Sequence, residues 1–176
     1  MPAPMRELAQ VIKVAHLRLA GAEPEISAVG LLATADARTL TLSIQTGVNE
    51  VRELVATGAV HIIENLDEIA EMRWDPRHHQ EVDETTLPTA LRELGLTGPP
   101  ALEAVLGAIQ LLVDDDTLDV LAAGAVRAVL VLDDPQLTRE AVEALNTPAA
   151  FAEWLSVQDP GEAAAADANA NHLTPS

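Results

Sequence analysis

The chain contains no cysteine. Disulfides, thiolate nucleophiles and cysteine-ligated metals are thereby excluded. Aromatic side chains are nearly missing: there is no tyrosine, and Trp74, Phe151 and Trp154 are the whole set. A core must therefore be aliphatic, and there is little material for base-stacking platforms. Each Trp is either the largest plug of a local cluster or an exposed anchor for a partner. Lysine is reduced to Lys13 among ten basic residues, which face 28 acidic ones for a formal charge of −18. Such a field repels nucleic-acid phosphates and anionic membrane surfaces. It suits a basic partner, a cation or simple solubility, and the Lys-poor, Ala- and Leu-rich composition is equally that of a biased genome. No apolar run approaches the roughly 20 residues needed to span a bilayer. Met1 to Leu8 lacks the basic-then-apolar order of a signal peptide, so the expected location is cytoplasmic.

What is present is an alternation of helical and strand patterns. Residues 5–20 place Leu8, Val11, Ile12, Ala15 and Leu19 at helical spacing, although 13–19 also reads as a strand. Ile26–Thr34 is a short apolar run, and Leu40, Leu42 and Ile44 alternate across Leu40–Gln45. The short ADAR segment from 35 to 38, with Asp36 and Arg38, separates these runs, which predicts an antiparallel hairpin. Further helices are expected at 49–57, 67–74 and after Thr85 or Thr86, with a strand between Val60 and Leu66. Asp75–Glu84 is polar and without periodicity, and reads as a loop. Gly98-Pro99-Pro100 is a break, followed by helices and the strand Val126–Leu132. Apart from Arg127 that strand is apolar on both faces, so a central position is expected. Asp133 or Asp134 caps the next helix, with Pro135 in its first turn. Thr147-Pro148 opens a last helix carrying Phe151 and Trp154.

The fold class these elements predict is α/β or α+β, a mixed sheet covered by helices. Residues 1–158 form one domain or two lobes, 1–75 and 97–158, joined by 76–96. Residues 159–176 have the composition of a disordered acidic tail. One internal similarity stands out: Ala56, Gly58, Ala59, Val60, Leu66 and Asp67 recur as Ala122, Gly124, Ala125, Val126, Leu132 and Asp133. Physically this is a helix stopped by glycine and a strand closed by Leu-Asp. It is either a tandem duplication or the recurrent helix–glycine–strand turn of any α/β protein.

The densest polar constellation is Asp75, His78, His79, Glu81, Asp83 and Glu84. Adjacent histidines with carboxylates supply the N and O ligands of a divalent metal, and Asp75, His78, His79 and Glu81 are the candidate set. Against this, adjacent ligands need a tightly folded loop, and a solvated loop has the same composition. His61 and Glu64 fall on opposite faces of a predicted strand and do not pair locally. Asp114, Asp115 and Asp116 lack the alternation of a calcium loop and read as the cap and first turn of a helix over 116–123. No nucleophile elbow, phosphate-cradling glycine loop or dinucleotide fingerprint occurs, so no cofactor is expected.

Two functions follow as expectations. The first is a non-catalytic interaction or assembly protein, homo-oligomeric and binding a basic protein partner through acidic residues gathered on one face, with the helices at 49–57 and 67–74 among the contributors. The second is a small metal-dependent enzyme built on the His78–His79 loop.

Overall fold

The computed structural model describes residues 3–21, 26–46, 58, 66–122 and 124–158. The expected helix at 49–57, the strand between Val60 and Leu66 with His61 and Glu64, and the acidic tail lie outside them.

Leu8, Ala9, Ile12, Ala15 and His16 form the buried stripe of α1 (Ala3–Ala20), whose helical reading holds throughout. The hairpin forms as expected. Strand β1 (Ile26–Ala33) pairs antiparallel with β2 (Leu40–Thr46), Gly30 standing opposite Ser43 and Leu31 opposite Leu42. The turn between them is stitched by Thr34, whose hydroxyl donates to Asp36 and accepts from the Thr39 N–H.

Helix α2 (Leu66–Trp74) ends in a single 3-10 turn, Pro76–His78. Beyond it Glu81–Asp83 adds to the edge of β2 as β3, Val82 pairing with Ser43. The loop expected over 75–84 is thus a turn and a short edge strand. Three residues with two charges carry no alternation signal, which is how a short exposed edge strand resists edge-to-edge association. Asp83 then caps α3 (Thr86–Glu93), accepting from the N–H groups of Thr85 and Thr86, a role expected of the threonines themselves. Helix α4 (Pro99–Asp114) starts at the Gly-Pro-Pro break. Asp115, not Asp116, accepts from the Thr117 N–H at the start of the short helix α5 (Thr117–Leu121).

Strand β4 (Val126–Val131) is parallel to β1, and the four described strands lie in the order β3-β2-β1-β4. Strands from 1–75 and 97–158 therefore share one sheet. Among the described strands β4 is terminal rather than central. Along its other edge lies α6 (Pro135–Leu145), capped by Asp134 as expected. Asn146 accepts from the Arg127 N–H and donates to the Arg127 carbonyl, while Thr138 accepts from the Val131 N–H. Eight helical residues span ~12 Å and four strand residues ~13 Å, so α6 runs alongside β4 in register.

Pleating puts Val29, Leu31, Ala33, Arg127 and Val129 on one face, against α1, α4 and α6. Gly30, Ser43 and Ala128 lie on the other, where α2 and its 3-10 turn pack on β1 and β4. The last described helix, α7 (Pro148–Gln158), stacks Phe151 on Trp154 with ring centroids 5.7 Å apart. Trp74 and Trp154 are both buried, and the Trp74 indole donates to Glu153 at 2.9 Å. Both tryptophans are core plugs. Gly58 and Gly124 both have left-handed backbone, φ +87° and +75°. No helix among the described residues is long and apolar enough to cross a membrane.

Candidate functional site

The histidine-rich segment divides at the 3-10 turn. Asp75 is extended, φ −107° and ψ 106°, which frees its carboxylate to accept from the Arg77 N–H at 3.0 Å. The same carboxylate takes the Arg77 guanidinium in a two-pronged bond at 3.0 and 2.8 Å. Burial pushes the Asp75 carboxyl up, but the hydrogen bonds and charge of Arg77, with the nearby His78, outweigh it and hold the group below the usual carboxylate range. His78 stands in solvent with Nε2 3.9 Å from Asp75.

His79 points the opposite way, into the sheet. Its Nε2 lies 2.8 Å from the Arg73 carbonyl and its Nδ1 2.7 Å from the Ser43 hydroxyl. A carbonyl only accepts, so Nε2 carries the hydrogen, and Nδ1 accepts from Ser43. Both ring nitrogens are thus used within the fold. Glu81 is exposed on β3, paired with Ile44. Of the four residues in the candidate metal set the structure brings together Asp75 and His78, and sends His79 and Glu81 elsewhere. Among the described residues no three His, Asp or Glu side chains are grouped to hold a metal ion.

The Ser43–His79 pair was invisible in the sequence, where the two are 36 positions apart. In distances alone it is a hydroxyl beside a base that is itself oriented by a third group. At 1% and 5% exposure neither residue meets a substrate from solvent. The pair instead locks the turn onto the sheet, and the absent side chain of Gly30 makes the room: a Cβ there would lie 2.7 Å from His79 Nδ1.

A second arrangement is open to solvent. Helices α4 and α6 leave a groove of about 200 Å³ between them. Leu106, Leu137, Ala141 and Leu145 form its floor, and Gln110, Glu140 and Ala144 stand at its edge. Helical spacing continues the rim to Glu103 and Asp114 on α4 and to Glu143 on α6. The rim side chains are tied down, Gln110 donating to Asp114 at 2.9 Å and Gln136 to Glu140 at 3.0 Å.

Acidic residues predominate in the sequence that forms this groove. Residues 1–46 carry four acidic and four basic side chains, whereas 97–158 carry ten acidic and two basic. Arg127 is largely buried and donates to Asp119, and the Arg139 guanidinium lies 5.9 Å from the centre of the Phe151 ring. The asymmetry could have been counted from the sequence. The groove could not, because it exists only where two helices pack.

No protein family, curated protein or solved structure matches the chain.

Proposed function

We propose that this chain is a non-catalytic interaction protein that takes a basic amphipathic helix of a protein partner in the groove between α4 and α6. The observation that carries the reading is an apolar groove edged by Glu140 and by Gln110, which donates to Asp114, in the part of the chain where acidic residues outnumber basic ones ten to two. Laying an apolar helix stripe into a groove is a recurrent recognition mode, with anchors at i, i+3, i+4 and i+7. The floor has room for one or two aliphatic anchors, each contributing about 1.5–3 kcal/mol when buried. Lysine or arginine flanking those anchors meets Glu103, Asp114, Glu140 and Glu143. Their attraction speeds encounter and weakens with salt.

The test is a titration of a fluorescein-labelled peptide with Leu and Lys at helical spacing, alongside a scrambled peptide of the same composition. The ordered peptide is expected to bind with a Kd on the order of micromolar, and Leu137→Ser to weaken it about tenfold, the worth of one anchor. Charge reversal at Glu81 and Glu84, outside the groove, is expected to change the affinity little. Equal binding of the scrambled peptide, or an unaffected Leu137→Ser variant, would refute the assignment. Native mass spectrometry of the same samples reports the subunit number.

A further inference from the structure

On a different part of the surface, a cleft of about 470 Å³ opens between the β1–β2 turn, α3 and the start of α4. Its walls are unlike those of the acidic groove. Pro88, Leu91, Leu96 and Ala101 make an apolar interior, and Arg38 and Arg92 bring two guanidinium groups to it. Two of only ten cations in a chain of charge −18 therefore line one cleft. Asp36 is the sole carboxylate among the lining residues, and it engages Arg38 through Nε at 2.9 Å. Arg92 forms no ion pair among the described residues.

The turn that presents Arg38 is built rather than loose. Asp36 accepts from the Thr34 hydroxyl and the Arg38 N–H. Ala37 donates its N–H to the Thr34 carbonyl, and the Ala35 N–H reaches across to Asp133 at 2.8 Å. Ala37 itself is held at φ +60°, a left-handed conformation costing a side-chain-bearing residue roughly 1–2 kcal/mol. A turn fixed this way keeps one wall of the cleft and the backbone that carries Arg38 in place before anything binds, which lowers the ordering cost of recognition. The start of α4 adds little by itself, since Pro99 and Pro100 have no N–H to offer. An anion at this cleft is bound by the arginines.

From these features we infer that the cleft binds a small amphiphilic carboxylate, its apolar body against Leu91, Leu96 and Pro88 and its carboxylate between Arg38 and Arg92. Guanidinium matches carboxylate in planar, two-pronged geometry, and a cavity of this size suits a small molecule.

Isothermal titration of the full chain with decanoate, decanol and acetate tests it. Decanoate is expected to bind saturably at one per chain, with decanol at least tenfold weaker and acetate showing no saturation. The Arg38→Gln/Arg92→Gln variant is expected to weaken decanoate about tenfold or more and leave decanol unchanged. Thr97→Trp, which fills the cleft without touching either arginine, is expected to weaken both decanoate and decanol. Equal affinities for decanoate and decanol, an undiminished decanoate affinity in the double variant, or no saturable decanoate binding would each overturn the assignment. Basic-helix binding between α4 and α6 should survive Arg38→Gln/Arg92→Gln, so the two sites succeed or fail separately.

Discussion

His16 ties the stability of this fold to pH. The ring is buried between α1 and the sheet, in a narrow cavity lined by Val29, Leu31, Ile109 and Arg127. Neither ring nitrogen meets a hydrogen-bond partner among the described residues. Burial without compensation disfavours the imidazolium and pushes the pKa from 6.5 down to about 4. The folded state therefore binds its proton later than the unfolded chain does. As pH falls through 6.5 the unfolded state takes up the proton first, and stability drops until the folded pKa is passed. The whole effect is about 3 kcal/mol, and roughly 2 kcal/mol of it falls between pH 7 and pH 5.

His16→Leu removes the titration and fills similar space with an apolar side chain. It should raise stability at neutral pH by about 1–3 kcal/mol, because two unsatisfied nitrogens leave the core. Urea unfolding followed by Trp74 and Trp154 fluorescence, at several pH values for both proteins, isolates the His16 contribution. Carboxylates and the other histidines titrate in both chains and cancel in the difference. The gap between variant and parent should widen by about 2 kcal/mol from pH 7 to pH 5. A gap that stays constant over that range would refute the argument from burial.

Gly30→Ala should cost about 2–4 kcal/mol, because its Cβ would collide with Ser43 and His79 and break the bond between them, and a loss under about 0.5 kcal/mol by urea unfolding would contradict the packing described. Asp114→Lys should raise thermal stability slightly, by roughly 0.5–1 kcal/mol, by ending an unfavourable alignment with the α4 dipole. The same change should weaken the basic peptide severalfold, and a variant that loses stability while keeping its affinity would count against both the dipole argument and the groove.

The amphipathic stripe of α1, the alternation in Leu40–Gln45, the Gly-Pro-Pro break and the Asp134-Pro135 cap are local signals, and the elements they predicted are present. The features that escaped are those decided by distant neighbours. Glu81–Asp83 becomes a strand because β2 offers an edge, not because of its own pattern. His79 and His78 look alike in the sequence, yet Ser43, Gly30 and the Arg73 carbonyl draw one inward while the other stays in solvent. The apolar composition of Val126–Val131 does report its burial. It does not report that Thr138 and Asn146 bond the backbone of Val131 and Arg127 along one edge. Both surface openings lie between packed elements, and no single segment carries their signature.

Helix α4 lines both openings, and its polarity runs with theirs. Its first turns border the arginine cleft through Gly98 and Ala101, and its later turns border the acidic groove through Leu106 and Gln110. Nine residues from Ala101 to Gln110 correspond to about 14 Å, more than a Debye length at physiological salt, so the two fields are largely independent. The helix macrodipole is positive at the cleft end and negative at the groove end. Arginines gather at the positive end, and Asp114, Asp115 and Asp116 at the negative end, where no basic residue occupies the last turn. For folding alone these placements are backwards, since charges that oppose the dipole would stabilise the helix by about 0.3–1 kcal/mol each. Asp115 has a local reason to be there, capping Thr117 at the start of α5. Asp114 has no such cap to make, and its contact is with Gln110 at the groove rim. Charge arranged along a helix so as to reinforce its dipole strengthens the potential at both ends. The arrangement carries a small expense in helix stability, and at the groove end it is what the proposed binding of a basic helix would draw on.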